Sequence, residues 1–166
     1  MIIVVAGIAG SGKTTVGQAL AGTLGWAFAD ADSFHPPANI AKMRAGVPLT
    51  DADRWPWLRA IGTWMDERTA AGESAVVACS ALKRGYRDAL LDGRDQARMV
   101  FLTVGHDEDE ARLLARRGHF FPESLLSSQF ADMELPAPPE RVLVLANRGT
   151  PARTVAEIIR LLALSA

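Results

Sequence analysis

The stretch that decides the fold is Gly7-Ile8-Ala9-Gly10-Ser11-Gly12-Lys13-Thr14, which directly follows the apolar run at residues 1–6. Its pattern, G-x-x-x-x-G-K-T, is typical of a phosphate-binding loop between a buried strand and a helix. The glycines let backbone N–H groups close around phosphate oxygens, and the helix that begins near Lys13 points its positive dipole end at the same anion. A glycine-rich turn with a chance lysine is the alternative, but motif and context agree. We therefore predict that the chain binds a nucleoside triphosphate.

The loop motif also assigns tasks to individual side chains. Lys13 is expected to reach the β- and γ-phosphates, and the Thr14 hydroxyl is expected to coordinate Mg²⁺. The predicted nucleotide-binding residues of the loop are Gly7, Ala9, Gly10, Ser11, Gly12, Lys13, Thr14 and Thr15.

Size and composition indicate one domain, residues 1–166, with one hydrophobic core. A net charge of −1 argues against a nucleic-acid-binding or membrane-surface protein. No apolar stretch reaches the roughly 18 residues that a membrane span needs. The one cysteine excludes an intramolecular disulfide and fits a reducing compartment. The N-terminal apolar run leads straight into the phosphate loop and is interpreted as a core strand rather than a signal peptide, so we expect a cytoplasmic protein.

Short apolar runs alternate with longer helical stretches, which predicts βαβ units and a parallel sheet covered on both faces. The predicted strands are 2–6, 26–30, 74–79, 98–104 and 142–145. The predicted helices are 13–24, 38–45, 51–71, 83–91, 108–117 and 154–164. A capping box at Thr50 is expected to start the 51–71 helix, with Pro56 in its first turn.

Two carboxylates follow the second predicted strand. Ligands of parallel α/β sheets bind beyond the carboxyl ends of the strands, so Asp30 and Asp32 should face the phosphate loop. Their alternate spacing points both side chains the same way if the strand extends that far. Phosphoryl transfer to an alcohol needs one carboxylate near Mg²⁺ and one near the attacking hydroxyl. We predict that Asp30 lies on the metal side and that Asp32 is catalytic; an aspartate that merely caps a helix or turn is the alternative.

Further segments resemble a known family. They follow one another in unbroken order to about residue 136, and they are 33–43 (SFHPPANIAKM), 46–58 (GVPLTDADRWPWL), 79–88 (CSALKRGYRD) and 116–121 (RRGHFF). Together with the phosphate loop, this series closely resembles the gluconate kinases of the small P-loop type, which are related in fold to shikimate and adenylate kinases. The loop Asn147-Arg148-Gly149 departs from that family, whose corresponding segment contains aspartate.

The resemblance implies ATP-dependent, Mg²⁺-assisted phosphorylation of D-gluconate at its terminal hydroxyl, which gives 6-phosphogluconate and ADP. It also implies a P-loop NTPase-type three-layer α/β/α fold with a five-stranded parallel sheet, a mobile lid at about 116–136, and a homodimer. Two alternatives stay open. One is a kinase of the same fold that acts on another acid, such as shikimate; the other is a nucleotide-dependent regulatory module without turnover.

Gluconate is a carboxylate with a row of hydroxyls, so its pocket needs cations and hydrogen-bonding side chains. Arg54, Lys83 and Arg87 lie in the matching segments, and the last two are four residues apart on one face of a predicted helix. The alternative for each is a solvated surface charge. His35 is expected either to bind a substrate hydroxyl or to tether its loop, and Asp32 is expected to contact the substrate as well.

Arginines also lead into Gly118 of the RRGHFF segment. Arg112 and Arg116 share a face of the predicted 108–117 helix and are expected to contact the nucleotide. On lid closure, Arg116 would stabilise the charge on the transferring phosphoryl group, and exclusion of water would suppress ATP hydrolysis. A basic helix C-terminus that complements the helix dipole is the alternative. The predicted catalytic residues are therefore Lys13, Asp32 and Arg116.

Overall fold

A single parallel sheet organises the chain in the computed structural model, which describes residues 1–103 and 129–165. Within these ranges the sheet has five strands in the order β2-β3-β1-β4-β5. The strands are β1 (Ile2–Ala6), β2 (Ala27–Asp30), β3 (Ala75–Cys79), β4 (Ala97–Thr103) and β5 (Val142–Ala146). The predicted five-stranded parallel sheet is confirmed, and each predicted strand end agrees within about one residue.

The described helices are α1 (Lys13–Leu24), α2 (Pro37–Arg44), α3 (Asp51–Ala70), α4 (Arg84–Leu91) and α5 (Pro151–Leu161). Helix α5 begins earlier than predicted because the Thr150 side chain accepts a hydrogen bond from the Arg153 N–H and caps the helix there. The helix predicted at 108–117 lies outside the described residues. None of the described helices is both long and apolar enough to cross a membrane.

The predicted capping box of α3 is present. The Thr50 side chain accepts from the Asp53 N–H, and the Asp53 carboxylate accepts from the Thr50 N–H. The placement of Pro56 in the first turn is wrong, because the box starts the helix at Asp51 and the proline falls in the second turn. There its missing N–H removes one backbone hydrogen bond from the helix.

Side chains of β1 alternate between two cores, one on each face of the sheet. Ile2 and Val4 pack with buried residues of α3 and α4, whereas Ile3 and Val5 pack with buried residues of α1 and α5. Because a strand buried on both faces needs apolar residues at every position, the continuous apolar run of β1 is explained. The result is the predicted three-layer α/β/α arrangement.

The strand register brings three carboxyl ends to one edge of the sheet. In the parallel pairing, Ala6 at the end of β1 lies beside Cys79 at the end of β3, and Asp30 at the end of β2 lies beside Ala78. The phosphate loop leaves β1 at this edge, and a 3₁₀ helix, Ala31–Phe34, leaves β2 there. The residues with candidate chemistry therefore gather where ligands bind in open α/β sheets.

Candidate active site

The phosphate loop is built for close approach of an anion. Gly7 and Gly12 have φ of 141° and 87°, a region that favours glycine. A Cβ at Gly7 would lie 2.7 Å from the Leu102 carbonyl oxygen, and one at Gly12 would lie 2.5 Å from Asn147 Nδ2. Helix α1 begins after Gly12 without a side-chain cap, so its first-turn N–H groups point into the loop without intrahelical acceptors. This geometry fits a bound phosphate chain.

Asn147 supports the loop from behind, a role that sequence reasoning missed. Its Nδ2 donates a 2.7 Å hydrogen bond to the Ser11 carbonyl oxygen, and its Oδ1 accepts one of 2.7 Å from the Thr154 hydroxyl. The Asn147 side chain is buried, and its own N–H donates to the Thr103 carbonyl at the end of β4. The sequence signal was a polar residue directly after a strand that ends at the ligand-binding edge.

Thr14 and Asp30 are brought together as predicted for the metal side. Thr14 Oγ1 donates a 3.1 Å hydrogen bond to Asp30 Oδ2. The other carboxylate oxygen, Oδ1, accepts from the Asp32 N–H at 3.1 Å and caps the 3₁₀ helix. Asp30 therefore caps the 3₁₀ helix and also contacts Thr14; its predicted role on the metal side stays a prediction. A hydroxyl and a carboxylate suit Mg²⁺, which takes few protein ligands when phosphates supply the others.

Asp32 lies at the same edge of the sheet, but in a different secondary structure from the extended strand that its spacing from Asp30 suggested. Strand β2 ends at Asp30, so Asp32 lies in the 3₁₀ helix rather than two positions along a strand. Although one side of Asp32 is open to solvent, surrounding protein atoms desolvate its carboxylate and raise its pKa. The Asp30 charge adds to this rise in pKa, and the Lys13 charge opposes it. Asp32 is thus within electrostatic reach of the phosphate loop and is a better proton acceptor than an ordinary aspartate.

His35 is held in place by two neighbours. Its ring stacks on Trp57 with centroids 4.4 Å apart, and its Nδ1 lies 3.2 Å from Asn39 Nδ2. Burial and the nearby Arg54 charge lower the His35 pKa to about 4, so the ring is neutral at pH 7. Because Asn39 Nδ2 is a donor, His35 Nδ1 accepts and the ring proton lies on Nε2. The tethering role is evident, and Nε2–H remains the ring's hydrogen-bond donor.

Arg54 and Lys83 meet in a cluster of opposite charges. Arg54 Nη1 lies 2.8 Å from Asp132 Oδ2 and donates to the Tyr86 hydroxyl at 3.1 Å. Lys83 Nζ lies 2.8 Å from Asp51 Oδ1 and 3.6 Å from Asp132 Oδ1. The Tyr86 hydroxyl also donates to Asp51. Hydrogen bonds from Lys83 and then from Tyr86 hold the pKa of Asp51 below its usual range. The two predicted substrate cations are therefore together and charge-balanced.

Arg87 does not join this cluster. It is fully buried and forms a two-pronged ion pair with Glu140, with Nε–Oε2 at 2.7 Å and Nη2–Oε1 at 3.0 Å. Its Nη1 donates to the carbonyl oxygens of Leu82 and Glu134, both at 2.8 Å. Lys83 occupies the N-cap position of α4, just before the helix, and makes no side-chain cap there, so it does not share a helical face with Arg87. This geometry gives Arg87 a structural task, and its role in substrate binding stays a prediction.

The predicted lid is only partly within the described ranges. Arg112, Arg116 and residues 116–128 lie outside them, so their predicted roles stay predictions. Residues 129–132 are helical, and the Gln129 side chain accepts a 2.8 Å hydrogen bond from the Ala9 N–H of the phosphate loop. This contact was not foreseen from the sequence.

Comparisons with known proteins agree with this geometry. The shikimate kinase family model matches residues 9–118. A gluconokinase from Gluconobacter oxydans (strain 621H) is 46% identical over 158 residues, covering 95% of this chain and 89% of that protein. The structure of a gluconokinase from Sinorhizobium meliloti 1021 is 45% identical, with a TM-score of 0.84 over 97% of this chain and 90% of that one. An unliganded sugar kinase from Janibacter sp. HTCC2649 is 44% identical, with a TM-score of 0.91 over 99% and 95% of the two chains.

The sheet, the phosphate loop and the family match define a nucleotide-binding P-loop kinase of the shikimate kinase type. Similarity to gluconokinases extends over most of the chain, at 46% identity to the Gluconobacter protein and 38% to the thermoresistant gluconokinase of Escherichia coli (strain K12). The chain belongs to the gluconokinase family. The resemblance found in the sequence is confirmed.

Proposed function

We propose that the protein transfers the γ-phosphoryl group of ATP to the terminal hydroxyl of D-gluconate and releases 6-phosphogluconate and ADP. The observation that carries this proposal is the meeting of the phosphate loop, the Thr14–Asp30 pair and Asp32 at one edge of the sheet. Membership of the gluconokinase family supports gluconate as the acceptor.

On the nucleotide side, loop N–H groups and the Lys13 ammonium bind and orient the triphosphate. Thr14 and Asp30 would hold Mg²⁺, which neutralises phosphate charge when it is bound. Lys13 Nζ now donates to the Ile8 carbonyl oxygen at 3.3 Å, so it already lies over the loop. Arg112 and Arg116 are proposed to contact the nucleotide, with Arg116 neutralising charge on the transferring group.

On the acceptor side, Asp32 would orient the gluconate hydroxyl and take its proton as the new O–P bond forms. The raised pKa of Asp32 favours that proton transfer. Arg54 and Lys83 would bind the gluconate carboxylate, and His35 Nε2–H would donate to one of its hydroxyls. Because the His35 ring is buried against Trp57, it keeps one orientation, and its lowered pKa keeps it neutral near pH 7.

A substrate panel tests the proposal. Purified protein with ATP and Mg²⁺ is incubated with D-gluconate, other sugar acids or shikimate, and ADP release is measured together with the mass of the product. We expect turnover with gluconate that exceeds turnover with shikimate and that is lost in Lys13→Ala. Faster turnover with another acid would favour a related metabolite kinase. ATP binding without phosphorylation of any acid would favour a regulatory module.

We also propose that the protein is a homodimer and acts in the cytoplasm, where ATP is available. The family resemblance supports the dimer. Sedimentation equilibrium at micromolar concentration tests it, with a single species of twice the 17.8 kDa chain mass as the expected result.

A further inference from the structure

Residues 129–132, the helical residues with which the second described range begins, contact both ends of the proposed site, and we call them the bridging turn. At one end, Gln129 Oε1 accepts a 2.8 Å hydrogen bond from the Ala9 N–H in the phosphate loop. At the other end, Asp132 Oδ2 lies 2.8 Å from Arg54 Nη1. The two side chains are three residues apart and so lie on one face of the turn.

Both contacts use groups that resemble parts of the proposed ligands. The Gln129 amide oxygen accepts from the Ala9 N–H, as a phosphate oxygen would when it binds in such a loop. The Asp132 carboxylate lies between Arg54 and Lys83, as a sugar-acid carboxylate would. The bridging turn therefore offers internal substitutes for two different ligands.

We propose that the bridging turn is an autoinhibitory contact that competes with both ligands and couples their binding. Gln129 must leave Ala9 for phosphate to bind fully, and Asp132 must leave Arg54 for the sugar-acid carboxylate to bind. Because one turn carries both side chains, whichever ligand binds first displaces it for the other. The identity of the second ligand rests on the proposed function.

A comparison with Asp51 shows why Asp132 is the carboxylate that the sugar acid would displace. Asp51 is held by Lys83 and Tyr86 and lies in the first turn of α3, where a carboxylate is favoured by the helix dipole. Asp132 accepts a hydrogen bond from Arg54 and lies 3.6 Å from Lys83, and it is carried by the bridging turn. A gluconate anion adds a third negative charge to this neutral cluster, so it binds well only when one acid departs.

The chain just beyond the bridging turn is fixed and can serve as its pivot. The Glu134 N–H donates a 3.0 Å hydrogen bond to the Leu82 carbonyl oxygen, and buried Arg87 donates to the Glu134 carbonyl oxygen at 2.8 Å. Phe130 and Met133 are only partly buried where they pack against the core. The turn is thus attached at its C-terminal end, while its ligand-like side chains rest on the site.

Titration calorimetry on the full-length protein tests the coupling. Dissociation constants of gluconate and of a non-hydrolysable ATP analogue with Mg²⁺ are measured separately and in each other's presence. In the wild type, we expect each ligand to tighten the other by about fivefold or more, and by the same factor in both directions. An absence of coupling between the two bound ligands would overturn the proposal.

Four variants separate displacement of the bridging turn from simple charge removal. Asp132→Asn should tighten gluconate binding without nucleotide by about fivefold and reduce the coupling factor to about two or less. Asp51→Asn removes the same charge from the cluster without touching the turn; it should leave the coupling factor at the wild-type value. Gln129→Ala should tighten binding of the ATP analogue, whereas Gln96→Ala, an exposed control outside the site, should not. Thermal melts confirm that each variant is folded.

The outcomes also separate this inference from the proposed function. Weaker gluconate binding in Asp132→Asn, or equal loss of coupling in Asp51→Asn, would overturn the inference while leaving gluconate phosphorylation intact. If the wild type does not bind gluconate, the proposed substrate is wrong, but the Gln129→Ala variant still tests the inference. Unchanged or weaker nucleotide binding in that variant would refute competition between Gln129 and the nucleotide.

Discussion

Arg87 gives the sharpest test of the geometry, because sequence reasoning and structure assign it different tasks. In Arg87→Met the aliphatic stem is kept, but Glu140, whose side chain is 6% exposed, loses its partner. The carbonyl oxygens of Leu82 and Glu134 lose a donor as well. Removal of one partner from a buried ion pair destabilises a protein by about 3–5 kcal/mol. For a chain of this size that corresponds to a decrease in Tm of about 6–20 °C.

The assay combines urea denaturation with steady-state kinetics at a temperature where the variant is folded. We expect the free energy of unfolding to fall by the stated amount, while KM for gluconate changes by no more than about threefold. The exposed Arg59→Met variant is the matched control and should stay within about 0.5 kcal/mol of wild type. Adding Glu140→Gln to Arg87→Met should recover part of the loss, because it removes the unpaired charge. A stability loss under about 1 kcal/mol with a tenfold rise in KM for gluconate would return Arg87 to the substrate site.

Substitutions at three other residues address the catalytic edge of the sheet. Lys13→Ala should lower kcat by about 10²–10³-fold, as expected for loss of one donor to the transferring phosphate, and a few-fold effect would contradict its role. Asp32→Asn should lower kcat by about 10²–10⁴-fold. Because Asp32 acts when deprotonated and its pKa is raised above the ordinary aspartate value of 3.8, the wild-type rate should already fall with decreasing pH above that value. This acidic decline in rate should be absent in the variant. Asn147→Ala should cost about 2–4 kcal/mol of stability, since Ser11 and Thr154 lose a buried partner, and should raise KM for ATP. Asn147→Asp cannot donate to the Ser11 carbonyl and should be no better; wild-type nucleotide affinity in it would refute the supporting role.

Local pattern was enough for most of the fold. The apolar run of β1 followed by the glycine motif determined strand, loop and helix, because each residue's preference agrees with its neighbours. Asp30 and Asp32 were placed at the correct edge because strand ends follow from the same pattern. The 3₁₀ helix that contains Asp32 was not predicted. It depends on a hydrogen bond from the Asp32 N–H to the Asp30 side chain, which the alternation of residues along a strand does not reveal.

Long-range partners account for what the sequence did not reveal. Arg87 is paired with a residue 53 positions away, and Asn147 with one 136 positions away. Whether a charged or amide side chain is buried depends on such partners, and not on its helical phase or its neighbours in sequence. The same holds for Gln129, whose contact with Ala9 spans 120 residues.

The charge cluster also gives a physical reason for choosing an acid over a neutral sugar. Arg54 is 12% exposed on its side chain, so a guanidinium without a partner would be strongly disfavoured there. In the proposed displacement of Asp132, a sugar acid would replace its carboxylate, and the pairing of Arg54 and Lys83 would be kept. A neutral polyol of the same length cannot do so and would leave Arg54 without a carboxylate partner, a penalty of about 3–5 kcal/mol, or roughly 10²–10³-fold in affinity. Selection for the acid thus follows from replacing an internal carboxylate, and it needs no contact that distinguishes one hydroxyl from another.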